Sequence, residues 1–157
     1  MTPRHELRPA DIGDVEFAWR LYEQLMRART EALIPWRADR QREVVESALR
    51  SGGMQVIVVD GAVSGWLHVH ENAELIELLQ LYLVPKQQRR GIGTAILRAL
   101  QDRARAHRRP LRLNVLVNNP ARRLYERLGF HIERSDAIKH YMSWRAAGAA
   151  AGADAKT

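Results

Sequence analysis

Cysteine is absent from the 157-residue chain. That excludes disulfides, cysteine-ligated zinc and any acyl intermediate carried on a thiol, and it fits a cytoplasmic protein. Long apolar runs are also missing. None approaches the ~20 residues needed to span a bilayer, and the opening MTPRHELRPADIGD is polar with no hydrophobic signal core. A soluble, non-secreted, non-membrane protein is expected. Negative charge is in short supply: 18 Asp and Glu face 25 Lys and Arg, a net charge of +7. Nucleic-acid binding would need that charge gathered on a motif. Instead the arginines are spread along helices and interleaved with Asp and Glu, and neither zinc-finger spacing nor an aromatic RNP pattern is present. This argues against nucleic acid and for a solvated basic surface, with room for an anionic cofactor.

What is present reads as one domain over residues 1–145, without internal repeat or linker. His5–Pro9 is short enough for an edge strand. Asp11 offers an N-cap, and Val15, Trp19, Tyr22 and Met26 recur near helical spacing to about Arg29. After a loop containing Pro35, Asp39 is a candidate cap for a second helix ended by Gly52-Gly53. Met54–Val59 and Val63–His70 flank Asp60-Gly61, a hairpin signal. Glu74–Val84 is a third strand. A helix from Gly91 to about His107 places Ile92, Ala95, Ile96, Ala99, Leu100 and Arg103 on one face. Leu111–Val117 is a strand, Pro120–Leu128 a short helix, and Ile132–Trp144 one or two strands. The Ala/Gly stretch 146–157 lacks a core pattern and is expected to be a disordered tail. Such an order implies an α/β (α+β) fold: a mixed sheet with helices on both faces and a parallel crossover from Glu74 to Val117.

The chemistry concentrates in Pro85-Lys86-Gln87-Gln88-Arg89-Arg90-Gly91-Ile92-Gly93-Thr94, which joins a strand to a helix. Two glycines allow close backbone approach. The helix start leaves N–H groups unpaired and carries partial positive charge, so the turn suits a pyrophosphate. Arg89 and Arg90 can add charge-assisted contacts. No Gly-Lys-Ser/Thr is present for a P-loop. A dinucleotide fingerprint fits poorly too, since Ile96 stands where a third small residue belongs.

Gln88-x-x-Gly91-x-Gly93 resembles the acyl-CoA motif of the GNAT (GCN5-related N-acetyltransferase) superfamily. Asn118-x-x-Ala121-x-x-Leu124-Tyr125-Glu126-Arg127-Leu128-Gly129-Phe130 is similar to that family's second cofactor segment, in the right order and after one helix and one strand. The resemblance is strong over Leu75–Phe130 and extends more weakly across Leu7–Trp144. It implies a mostly antiparallel sheet of six to seven strands. It also implies transfer of an acetyl or short acyl group from acetyl-CoA to a primary amine, by direct transfer in a ternary complex.

Residue by residue, the resemblance implies that the backbone of Leu81, Tyr82 and Leu83 pairs with the pantetheine arm and polarises the thioester carbonyl. The N–H groups of Arg89, Arg90, Gly91, Ile92, Gly93 and Thr94 would hold the pyrophosphate, and Gln88 belongs to the same motif. Asn118 would bond or orient the pantetheine. Tyr125 matches the tyrosine that protonates the departing thiolate, and core packing is its other reading. Glu77 stands where some members carry a base; sharing a face with Leu79 and Leu81 would raise its pKa, and an exposed strand glutamate or deprotonation through water are the alternatives. His68 and His70 share a strand face, but no third ligand follows and no metal is expected. Trp36 and Trp66 are candidates for an acceptor pocket or for core. The acceptor is a small-molecule amine or a peptide or protein amine. A homodimer is implied only by analogy. A catalytically weak acyl-CoA-binding or protein-interaction module on the same fold is the alternative function.

Overall fold

A computed structural model of the chain describes residues 1–148. The tail expected from Ala146 lies outside the described residues from position 149 on, and Ala146 itself packs against the core. The elements run β1 (His5–Pro9), α1 (Val15–Glu31), α2 (Ala38–Ser51), β2 (Met54–Val59), β3 (Ala62–Glu71), β4 (Ile76–Leu83), α3 (Ile92–Ala106), β5 (Leu111–Leu116), α4 (Arg122–Arg127), β6 (His131–Ser135) and β7 (Lys139–Trp144). One seven-stranded sheet takes the order β1-β2-β3-β4-β5-β7-β6. Among the described residues only β4 and β5 pair in parallel; the other neighbours are antiparallel. Among the described residues no helix is long and apolar enough to cross a membrane.

Local chemistry explains most boundaries. The Asp11 carboxylate accepts from Gly13 N–H at 2.8 Å, and Asp14 accepts from Asp11 N–H at 2.8 Å, a capping box on the short 3-10 turn that feeds α1. Two Arg8 N–H groups donate to the two Asp14 oxygens, each at 2.9 Å, and tie β1 to that turn. These bonds hold the Asp14 carboxyl below its usual range. The second helix differs from expectation: it starts after Arg37, with no side-chain cap, and Asp39 sits in the first turn, where its charge meets the positive end of the helix dipole. Asp60 (φ 50°) and Gly61 (φ 79°) both have positive φ, as a type I′ hairpin turn requires.

The sheet carries a core on each face. On one, α3 and α4 cover Ile57, Leu67, Ile76, Leu78, Leu111 and Leu113. On the other, α1 and α2 cover Val56 and Trp66. The buried face of α3 is Ile92, Ile96, Leu97, Leu100, Gln101 and Ala104, whereas Ala99 and Arg103 are exposed. The expected stripe was therefore rotated. Gln101 is buried because its amide donates to Leu128 O at 2.8 Å, fixing α3 to the end of α4.

A β-bulge decides the faces of β4. His68 pairs with Gln80 and Val69 with Leu78, so Leu79 is the extra residue. Below it Ile76 and Leu78, and above it Leu81 and Leu83, all pack toward α3. Glu77 consequently faces the opposite side from Leu81, and the face it was expected to share with Leu79 and Leu81 does not exist.

Candidate active site

The bulge sits where the sheet opens. The β4–β5 ladder registers only from Ile76↔Leu111 to Leu78↔Leu113. Beyond it β4 stays with β3 through Gly65↔Leu83, and β5 stays with β7 through Leu116↔Lys139. The two strands splay, and a cleft of about 770 Å³ enters between them, within the range of ligand sites. A smaller depression of about 460 Å³, beside α2, is flanked by Arg42 and Glu46, paired at 3.1 Å, and has no comparable open backbone.

One wall of the cleft is backbone. Val84 N–H donates to Ser64 O at 2.8 Å across the β3 side. Strand groups alternate in direction, so Tyr82 also faces β3, opposite Trp66, while the amides and carbonyls of Leu81 and Leu83 face the open edge. Of the three expected backbone partners, Tyr82 thus contributes its side chain instead. Gln88 braces the following turn by donating its side-chain amide to Leu83 O at 2.9 Å. Arg89 (φ 60°) and Gly91 (φ 88°) turn left-handed, curling the backbone inward. The positive φ favours glycine at Gly91, and a Cβ there would lie 2.6 Å from the Thr2 hydroxyl, which would have to shift. The first backbone bond back into α3 is Ala95 N–H to Gly91 O at 3.0 Å. The N–H groups of Ile92, Gly93 and Thr94 therefore have no backbone partner among the described residues. The Ile92 side chain is in the core. Arg89 lines the cleft, whereas Arg90 donates to Gln87 at 2.7 Å.

Tyr125 lines the inner end of the cleft and packs edge-on against Phe130, ring centres 5.9 Å apart. Burial pushes its phenol up to about 12, so the hydroxyl stays protonated. Asn118 is outside the lining residues: it donates to Arg29 O at 3.0 Å, and its neighbour Asn119 faces the cleft. The Asn119 carboxamide oxygen accepts from Ala121 N–H at 2.9 Å and from Arg29 at 3.2 Å. Glu77 does not line the cleft either.

The opposite wall is made of side chains from α1, α2 and β4. Tyr22 donates to Gln41 at 2.7 Å, and Tyr82 donates to Gln80. Burial raises Tyr22 to about 12 and Tyr82 further in the same direction. The two expected tryptophans are not in this lining. Trp66 is fully buried in the core, and Trp36 packs on Trp19 and Tyr22. Tyr22, Gln41, Gln80 and Asn119 were missed by sequence reasoning because only tertiary packing gathers them. His68 bonds Ser51 at 2.9 Å, with burial lowering its pKa. Among the described residues no cluster of ligands suits a metal.

Charge in the cleft is of one sign, whereas many arginines elsewhere are paired. Arg8, Arg27, Arg42, Arg103, Arg109 and Arg122 all sit on carboxylates. Among the described residues the cleft is lined by Arg29, Arg89, Arg123, Arg127 and Lys139, and by no Asp or Glu. Such a lining suits an anionic ligand.

A family model described as the acetyltransferase (GNAT) family matches residues 17–130. No curated protein matches the chain by sequence. Among solved structures, the PaiA N-acetyltransferase from Thermoplasma acidophilum, in complex with coenzyme A, is 18% identical, with 91% of this chain and 99% of that chain covered and a TM-score of 0.70. Ard1 from Thermoplasma volcanium is 20% identical, with 90% and 96% covered and a TM-score of 0.66. Arabidopsis thaliana NAA60, in complex with a bisubstrate analogue, is 18% identical, with 92% and 99% covered and a TM-score of 0.65. At these identities the likeness is one of fold.

Proposed function

The chain belongs to the acetyltransferase (GNAT) family, and from that premise we propose that its cleft takes acetyl-CoA and passes the acetyl group directly to a primary amine on the α1–α2 wall. The observation that carries this reading is a convergence. The start of α3 at Gly93 and Thr94, with its unpaired N–H groups, and the open edge of β4 border the same cleft, beside cationic side chains.

The N–H groups of Ile92, Gly93 and Thr94, with Arg89, hold the pyrophosphate. The backbone of Leu81 and Leu83 holds the pantetheine arm and supplies an N–H to the thioester oxygen as charge develops there. Asn119 borders the cleft, and Asn118 fixes that loop to α1. The amine nitrogen bonds to the carbonyl carbon, and the carbon–sulfur bond breaks. One amine proton leaves, and the sulfur gains one. With no carboxylate in the lining, we route the amine proton to water rather than to Glu77; the cations Arg29 and Lys139 disfavour the ammonium form beforehand. Tyr125 donates to the sulfur and is reprotonated from solvent. The rise of its pKa to about 12 makes that transfer harder, so the phenol first donates a hydrogen bond to the departing thiolate and passes its proton as charge builds on the sulfur.

Both substrates then lie in one cleft, which makes the encounter near-unimolecular. Thiol release measured with both acetyl-CoA and amine concentrations varied should give intersecting reciprocal plots. Parallel plots would indicate an acyl-enzyme and contradict direct transfer. Retained CoA binding without turnover of any amine would move the assignment to a binding module.

A further inference from the structure

The acceptor wall restricts what kind of amine fits. It has an apolar part, formed by Leu25, Met26, Ile34 and Val44. Its polar side chains chiefly offer donors. Tyr22 and Tyr82 give their hydroxyl protons to the carboxamide oxygens of Gln41 and Gln80, which leaves the amide N–H groups of both glutamines to the cleft. Arg29, at the end of α1, lines this wall, and Lys139, at the start of β7, lines the same cleft; neither has a carboxylate partner among the described residues. A polyamine or other polycationic acceptor would bring further positive charge to this wall and find no anion there among the described residues.

The wall also argues about size. Asn118 donates to Arg29 O at 3.0 Å and Arg29 donates to Asn119 at 3.2 Å. These bonds join the last turns of α1 to the loop before α4, across the flank of the cleft. A polypeptide threaded through would have to part them; a small molecule would not.

Building on the acetyltransferase assignment above, we infer that the acceptor is a small primary amine carrying a carboxylate and an apolar side chain, an apolar amino acid or close analogue. The Arg29 guanidinium anchors the carboxylate, and Met26, Ile34 and Val44 take the side chain. The carboxylate is what the site recognises, and the nitrogen is what reacts.

The test uses the full chain, acetyl-CoA and a thiol-release assay with matched pairs: phenylalanine against 2-phenylethylamine, and methionine against 3-(methylthio)propylamine. Each pair keeps the amine and the side chain and differs in the carboxylate. Spermidine and a short peptide with a free N-terminus complete the panel. The amino acids should be turned over with kcat/KM at least about tenfold above their decarboxylated partners, as loss of a charge-assisted bond gives. Arg29→Gln should shrink that ratio toward one while the Kd for CoA stays within about twofold; a misfolded variant would lose CoA binding as well, and Lys139→Gln then repeats the test on the other cation. Equal or better turnover of the decarboxylated amines, a preference for spermidine or the peptide, or no turnover of any panel member by protein that binds CoA, would overturn the inference. Failure to bind CoA at all would instead overturn the acetyltransferase assignment beneath it.

Discussion

On the α3 side of the cleft much of the wall is backbone: the start of α3 at Gly93 and Thr94 and the open edge at Leu81 and Leu83. On the α1–α2 side the wall is side chains: Tyr22, Met26, Arg29, Gln41 and Tyr82. A backbone site is specified by glycines and turn geometry, which stand in the sequence as a motif. A side-chain site can be built from many residue types on helices whose packing alone decides which face turns inward. The first kind suits a ligand common to a whole family, and the second an acceptor that differs between members.

The sharpest break in that comparison should come from Gly91→Trp. The backbone there is left-handed, and a Cβ would meet Thr2 at 2.6 Å. The KM for acetyl-CoA should rise on the order of 100-fold, as expected when several charge-assisted bonds are lost, while the acceptor KM moves little. An unchanged KM for acetyl-CoA would remove the turn from the cofactor site. Tyr125→Phe comes next: kcat should fall by about tenfold to 100-fold, the lower end of acid catalysis, with acetyl-CoA binding within about twofold. Equal kcat would take the phenol out of the mechanism.

Alkaline titration probes both walls together. Tyr22 and Tyr125 are raised to about 12 and Tyr82 is raised as well, all by burial. Protons are held more tightly in the folded chain than in the unfolded one, whose tyrosines ionise near ~10. Their contribution is therefore complete below about pH 10 and is lost as pH climbs toward the folded values. Urea unfolding should lose up to about 1.4 kcal/mol per pH unit for each such tyrosine above pH ~10, and Tyr22→Phe should flatten that slope. A slope indifferent to the substitution would contradict the burial described for this residue. The smallest effect is expected from Glu77→Gln, with kcat within about twofold at every pH; a loss concentrated at low pH would restore Glu77 as the base.

Much of the α3 wall was legible in the sequence. The glycine turn, the strand before it and the helix after it were all in place, and so was the short helix carrying Tyr125. The faces were less legible. Helical periodicity admits overlapping stripes, so Ala99 and Arg103 were placed inward where Leu97, Gln101 and Ala104 are found. The bulge at Leu79 inverts every side-chain direction below it, and a bulge without glycine leaves no mark in the residues. Asn118 and Asn119 are adjacent and identical, and only the packing of α1 decides which of them reaches the cleft. The α1–α2 wall was hardest, because Tyr22 and Gln41 meet across 19 residues of chain, a pairing no local pattern announces.

The central claim is that the splayed strands and the glycine turn form an acetyl-CoA site, and isothermal calorimetry of the purified protein with acetyl-CoA, free CoA and NADH tests it most directly. Binding of acetyl-CoA and CoA in the micromolar range, with none of NADH, is the expected result. A folded protein that binds neither CoA species would contradict the account.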